Sequence, residues 1–192
     1  MSLRRYIILF LSLVIPGLLP APGLPPGGDS FTMLKAMREE IVSKDKIQFH
    51  MKYSRFKKSL ARLESRNDWT QHNRYGYIGK YQFGKSALEA TGYGHITASS
   101  FRADPGVFSE AEQEKAMDIL LRLNESVMKD CFNRYVGYTI CDSIRITRAG
   151  ILAASHLAGT ANVREFLESF GEKDAKDGMG TRISDYFSRF SR

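Results

Sequence analysis

Leu60-Ala61-Arg62-Leu63-Glu64-Ser65-Arg66-Asn67-Asp68, then Tyr75-Gly76-Tyr77-Ile78-Gly79-Lys80-Tyr81-Gln82-Phe83-Gly84, is the stretch that decides how this chain is read. Upstream of it, Phe49, Tyr53, Phe56, Leu60 and Leu63 recur with a helical period. Lys52, Arg55, Ser59, Arg62 and Arg66 fall on the other side. Glu64 continues the row Phe56, Leu60 at i+4 spacing and so lies on the apolar face, in the last turn of the helix. Ionisation there is opposed by desolvation and by the partial negative charge of the helix end. A carboxyl group kept protonated in this way is suited to general-acid work. The alternative is a surface glutamate at a frayed helix end.

Working outward, the spacing predicts a short helix over 31–43 (Phe31, Leu34, Met37, Ile41) and a long one over about 46–65. A polar loop follows, 65–74. The alternation of aromatic with small or polar residues over 75–83 predicts a glycine-punctuated strand or hairpin. Gly84 heads a helix of about 84–91. Ser109 with Glu112 forms a capping box for a helix running to about Arg134. Residues 135–146 read as irregular. Thr147 is an N-cap for 148–158, which is apolar almost all round and therefore expected at the centre of the core. Gly159 ends it, and helices over 161–170 and 183–190 complete the chain. The sum is a mainly helical, α+β domain of about six or seven helices, with one small β-hairpin just after Glu64.

Arg4 and Arg5 precede an uncharged apolar run, Tyr6 to Leu19, too short for a standard spanning helix and fitting the h-region of a signal peptide. Residues 1–21 therefore read as a signal peptide or, if uncleaved, an N-terminal membrane anchor. Residues 22–43 read as a Pro/Gly-rich linker with a short lead-in helix, and 44–192 as the folded domain. The chain is expected to be exported, periplasmic or extracellular, and monomeric. Its formal charge is +7, Arg4 and Arg5 included. Such a surface could meet an anionic polymer or lipid. Without an Arg/Lys run interleaved with aromatics, and on an exported chain, no nucleic acid partner is expected. An even cysteine count on an exported chain points to a disulfide between Cys131 and Cys141, closing a small loop and worth roughly 2–3 kcal/mol. The alternative is two free, buried thiols. His50, His72, His95 and His156 lack zinc-type spacing, so no metal and no cofactor are expected.

Three stretches in order carry a resemblance: Glu64-Ser65, then Gly79-Lys80-Tyr81-Gln82-Phe83-Gly84, then Gly150-Ile151-Leu152-Ala153-Ala154-Ser155-His156-Leu157-Ala158-Gly159. Together, over about 48–190, the chain resembles the lysozyme-like soluble lytic transglycosylases. The match is closest to a divergent phage and bacterial branch with a Gly-Lys-Tyr-Gln-Phe-Gly segment and a later Ala-Ala-His-Leu helix. The resemblance implies a lysozyme-like fold with peptidoglycan glycan strands as substrate. It implies Glu64 as the catalytic acid/base, Ser65 beside the leaving region and Gln82 lining the cleft. His156 falls near the tyrosine of the family's Tyr-Asn pair, whereas Leu157 departs from its asparagine. Tyr77 and Tyr81 alternate with Ile78 and Phe83, so one side of this segment is core and the other is open to stack on sugar. Plainer readings stand beside these: Gln82 as a turn residue bonding its own backbone, His156 as a satisfied core histidine.

Ordinary glycosidases need two flanking carboxylates. Asp68 is the sole acid between Glu64 and Glu89, and it is the candidate second acid. With one acid, the substrate's 2-acetamido group can assist, giving a 1,6-anhydro product. Lytic transglycosylase action is thus expected ahead of a hydrolytic muramidase using Asp68. A non-catalytic wall-binding module on the same scaffold is the reading from a different class. Tyr93 to Gly106 and Gly171 to Arg182 are the expected walls of the cleft.

Overall fold

The computed structural model describes residues 30–141, 143–176 and 180–191. The signal or anchor segment and most of the Pro/Gly linker lie outside them. The described residues belong to two units, divided between Met37 and Arg38. The first contributes the opening turns of one helix. The second holds the core and everything discussed below.

Nine α-helices and one two-stranded antiparallel sheet make up the regular structure of the described residues, a mainly helical fold. Helix α1 (Ser30–Met51) is continuous through the point where two helices were expected to be separated. Ser43-Lys44-Asp45-Lys46 contains no breaker, and the chain turns instead at Lys52 (φ −104°, ψ 10°) before α2 (Tyr53–Ser65). Helix α3 (Lys85–Ala90) and α4 (Ala98–Ala103) follow. The second was expected as loop, but Thr97 and Ser100 form a reciprocal capping box that starts it. A single 3₁₀ turn (Pro105–Phe108) leads to α5 (Glu110–Val127), opened by the expected Ser109–Glu112 box. Helix α5 stops short of its expected end. A break at the buried Met128 starts α6 (Lys129–Tyr135), whose Cys131, Phe132 and Tyr135 are turned into the core.

The sheet is not where the aromatic alternation placed it. Strands β1 (Thr139–Ile140) and β2 (Ile144–Arg145) pair in the segment expected to be irregular. Residues 71–83 form only isolated bridges, His72 with Ile78 and Ile78 with Phe83. Gly76, Gly79 and Gln82 all take positive φ, which interrupts any extended run. Thr147 caps α7 (Arg148–Ala158), as expected, by accepting from the Gly150 amide. Gly159 (φ 79°) separates α7 from α8 (Thr160–Glu168), and α9 (Ile183–Phe190) closes the domain.

Helix α7 is the centre of the core, with residues 150–155 all buried and contacts to α5, α8 and α9. Gly150 lets α9 come close: a Cβ there would sit 2.8 Å from the Phe187 ring. Cys131 and Cys141 are both free thiols, so the expected disulfide is not formed. Cys131 is buried on the inner face of α6, where burial pushes its thiol up from the ordinary value. Cys141 is exposed in the β1–β2 turn, its Sγ 3.7 Å from the Phe170 carbonyl oxygen.

Candidate functional site around Glu64

Helix α2 ends one residue past Glu64, and the way it ends is unusual. Arg66 (φ 58°) and Asn67 (φ 73°) both take the left-handed conformation without being glycine. That conformation costs a residue such as Arg66 of order 1–2 kcal/mol, whereas asparagine tolerates it better. The Arg66 amide donates to the Arg62 carbonyl and the Asn67 amide to the Ala61 carbonyl, both at 3.1 Å, closing the helix abruptly. Glu64 is half-buried on the face turned toward α9. There the phenol of Tyr186, itself buried, donates a short hydrogen bond to Glu64 Oε1. Glu64 Oε2 makes no hydrogen bond among the described residues.

Ser65 is buried, and its hydroxyl donates to the Lys80 carbonyl at 2.7 Å. This fastens the end of α2 to the Gly79–Gly84 segment. His156 Nε2 donates to the Tyr81 carbonyl at 2.7 Å, fastening the same segment to α7. A carbonyl can only accept, so in this contact the His156 Nε2 carries a proton. Its Nδ1 is buried and has no partner among the described residues. The three stretches that carried the resemblance are therefore joined by hydrogen bonds, and α9 adds Tyr186 to them.

Beneath the segment, α5 supplies a polar bed. Gln113, fully buried, accepts from the Lys80 amide at 2.6 Å and donates to the Trp69 and Phe108 carbonyls at 2.9 and 2.7 Å. Gly79 (φ 77°) is required here, because a Cβ would meet Gln113 Oε1 at 2.4 Å. Glu114 takes Lys57 at 2.7 Å, Lys80 at 2.9 Å and the Tyr81 hydroxyl at 2.8 Å.

That last contact corrects one expectation. Tyr81 is 1% exposed, and burial together with Glu114 raises its phenol well above the ordinary value. Its ring is core and cannot stack on sugar. Tyr77 is the exposed member of the pair, its ring lying against Gly84, where a Cβ would come within 3.0 Å of it. Gln82 uses its side chain within the turn. Its Nε2 donates to the Gly79 and Gln71 carbonyls at 2.9 and 3.3 Å, and its Oε1 accepts from Asn73 Nδ2 at 3.0 Å. This is the plainer of the two readings of Gln82. Asp68 Oδ1 accepts from the Thr70 hydroxyl and amide at 2.7 and 2.9 Å. Those two bonds, the hydroxyl's first, hold its carboxyl below the usual range. Asp68 is exposed and tied to its own loop, as an Asx turn residue is.

Sequence reasoning missed Tyr186, Asn73 and Tyr75. Tyr186 was visible only as an apolar position of the last helix. Asn73, whose Oδ1 accepts from the Tyr75 and Tyr77 amides at 2.9 and 3.2 Å, sets the turn that exposes both rings. Tyr75 is half-exposed under the Arg74 guanidinium, and its place in the same alternation as Tyr77 was the available signal. Among the described residues, no three His, Cys, Asp or Glu side chains converge as a metal site. No described helix is long and apolar enough to cross a membrane.

What the fold and site define is a mainly helical domain with a tyrosine-held glutamate at a strained helix end. Compared with family models, curated proteins and solved structures, the chain finds no match.

Proposed function

We propose that this chain is an exported lytic transglycosylase of lysozyme-like type, cutting the β-1,4 bond between N-acetylmuramic acid and N-acetylglucosamine in peptidoglycan. The observation that carries this is the Tyr186–Glu64 pair at the meeting point of the three motif stretches. With Oε1 held by the phenol, Oε2 is the oxygen that gives its proton to the glycosidic oxygen as the C1–O4 bond breaks. The substrate's 2-acetamido group stabilises the positive charge developing at C1. Glu64, now a carboxylate, takes the proton of the sugar's own 6-hydroxyl, and O6 closes on C1. One proton is given and one taken, and no water is consumed. The engagement of Asp68 by Thr70 favours this single-acid route over hydrolysis. Tyr77 and Tyr75 are the rings available to stack on sugar.

The test is mass spectrometry of the soluble products released from purified sacculi by the intact chain and by Glu64→Gln. We expect anhydromuramyl ends from the native chain and a loss of at least ~10²-fold in the variant. Undiminished release by Glu64→Gln would overturn the proposal. Reducing muramic acid ends would replace it with hydrolysis.

A further inference from the structure

We infer that a cationic groove one residue away from Glu64 binds an acidic peptide, namely the peptide stem carried by the glycan strand. The inference rests on the peptidoglycan reading for the identity of that peptide. The groove holds about 750 Å³, within the range of ligand sites. It is lined by residues of α1, α2, β2 and the end of α9.

Its apolar part is a run of rings. Phe49 meets Phe56 at 5.2 Å between centroids, and Phe56 meets Phe190 at 5.5 Å. Phe190 stacks on Tyr186 at 6.1 Å, and Tyr186 holds Glu64. The aromatic floor thus leads to the candidate acid, although Glu64 itself does not line the groove.

The rim is Lys52, Arg55, Arg62, Arg145 and Arg189, all exposed. None of these five side chains makes an ion pair or hydrogen bond among the described residues. The only acid among the described lining residues, Asp45, lies with its Oδ2 3.1 Å from the Arg148 backbone amide and also feels the charge of Arg145, so one carboxylate faces the whole rim. Four buried or half-buried cations away from the rim, Lys57, Lys80, Arg148 and Arg164, are each paired with a carboxylate, so what sets the rim apart is the gathering of its cations around one concavity. Five unpaired cations around one groove repel each other, and an anion seated among them relieves that repulsion.

The occupant follows from the combination. Guanidinium forks grip carboxylates in pairs, and an apolar floor seats small apolar side chains. A flat bilayer reaches the rim but not the floor of a concave groove. A bare phosphate polymer offers nothing to the rings. A wall peptide stem is short, carries carboxylates and alanine methyls, and hangs from the muramic acid at the bond to be cut.

The experiment is fluorescence anisotropy of a labelled free stem tetrapeptide on the intact Glu64→Gln chain. Its comparisons are the carboxyl-amidated peptide, Arg55→Glu/Arg189→Glu and Arg55→Gln/Arg189→Gln proteins, and phosphatidylglycerol vesicles. We expect saturable binding of the acidic peptide, weakened at least ~10-fold by charge reversal, less by the glutamine pair, and falling with salt. Both arginines are exposed, so thermal melts of the variants are expected to match the parent. Equal binding of acidic and amidated peptides, or none of either, would overturn the inference. So would vesicle binding that depends on these arginines while peptide binding does not. The readout is independent of catalysis. Peptide binding that survives the loss of Glu64-dependent cleavage would still establish an acidic-peptide groove, and intact cleavage without peptide binding would remove the groove alone.

Discussion

At the scale of single residues, Tyr186 is the side chain that most changes how Glu64 is understood. It fills a core position with its ring and places its hydroxyl on the carboxylate, so removing the oxygen alone separates the two roles. Tyr186→Phe is expected to keep the fold, at a stability cost of about 1 kcal/mol for one lost hydrogen bond. On sacculi, the proposed activity should fall roughly tenfold in kcat with KM little changed, because the phenol orients the acid and does not hold substrate. Steady-state kinetics beside a thermal melt check this. A rise in KM with kcat preserved would instead make Tyr186 a substrate contact. Glu64 was legible in the sequence because helical periodicity put a carboxylate among apolar positions. Tyr186 was not, because a tyrosine in an apolar row gives no sign of which way its hydroxyl is aimed.

At the scale of elements, the site depends on how the Gly79–Gly84 segment is held between α2, α5 and α7. Glu114 is the charge at that junction. Burial works against its ionised form, but hydrogen bonds from Lys57, Lys80 and Tyr81 together outweigh burial and hold the carboxyl below its ordinary value of 4.5. A depressed folded-state value means the contribution to stability is complete above about pH 4.5 and is lost as pH falls through the depressed value. Glu114→Gln is therefore expected to lower Tm by roughly 3–6 °C at pH 7, about 1–2 kcal/mol for a carboxylate a third exposed. The gap should narrow as pH falls toward 3, and melts across that range measure it. A gap independent of pH would mean that the glutamine merely packs badly. The segment itself shows where local patterns mislead. Alternating aromatics predicted a strand, yet three positive-φ residues within seven made a looped turn braced by Gln82 and Asn73.

At the scale of the molecule, the cysteines test the packing. Cys131 is sealed into the core by α6 while Cys141 sits in an exposed turn. A thiol reagent should modify one cysteine in the native protein and two after unfolding, and reductant should leave Tm unchanged. A native protein with no reactive thiol, and a Tm that falls on reduction, would restore the disulfide. Such a bridge would be worth about 2–3 kcal/mol. The cationic groove belongs to this scale too, since its cations come from the α1–α2 turn, α2, β2 and α9 and gather only when the chain is folded.

By itself, the sequence determined the mainly helical class, the Ser109 and Thr147 caps, the central place of α7, and Glu64 as the odd carboxylate on an apolar face. These follow from local period and capping chemistry, which act over a few residues. Tertiary structure alone decided which of Tyr77 and Tyr81 is buried, and that Gln82 braces a turn. It alone joined Tyr186 to Glu64 across 122 residues of chain. It also kept the two thiols apart and gathered five cations around one groove. Each of these is set by which surfaces meet when helices pack, and local pattern carries no record of partners distant along the chain.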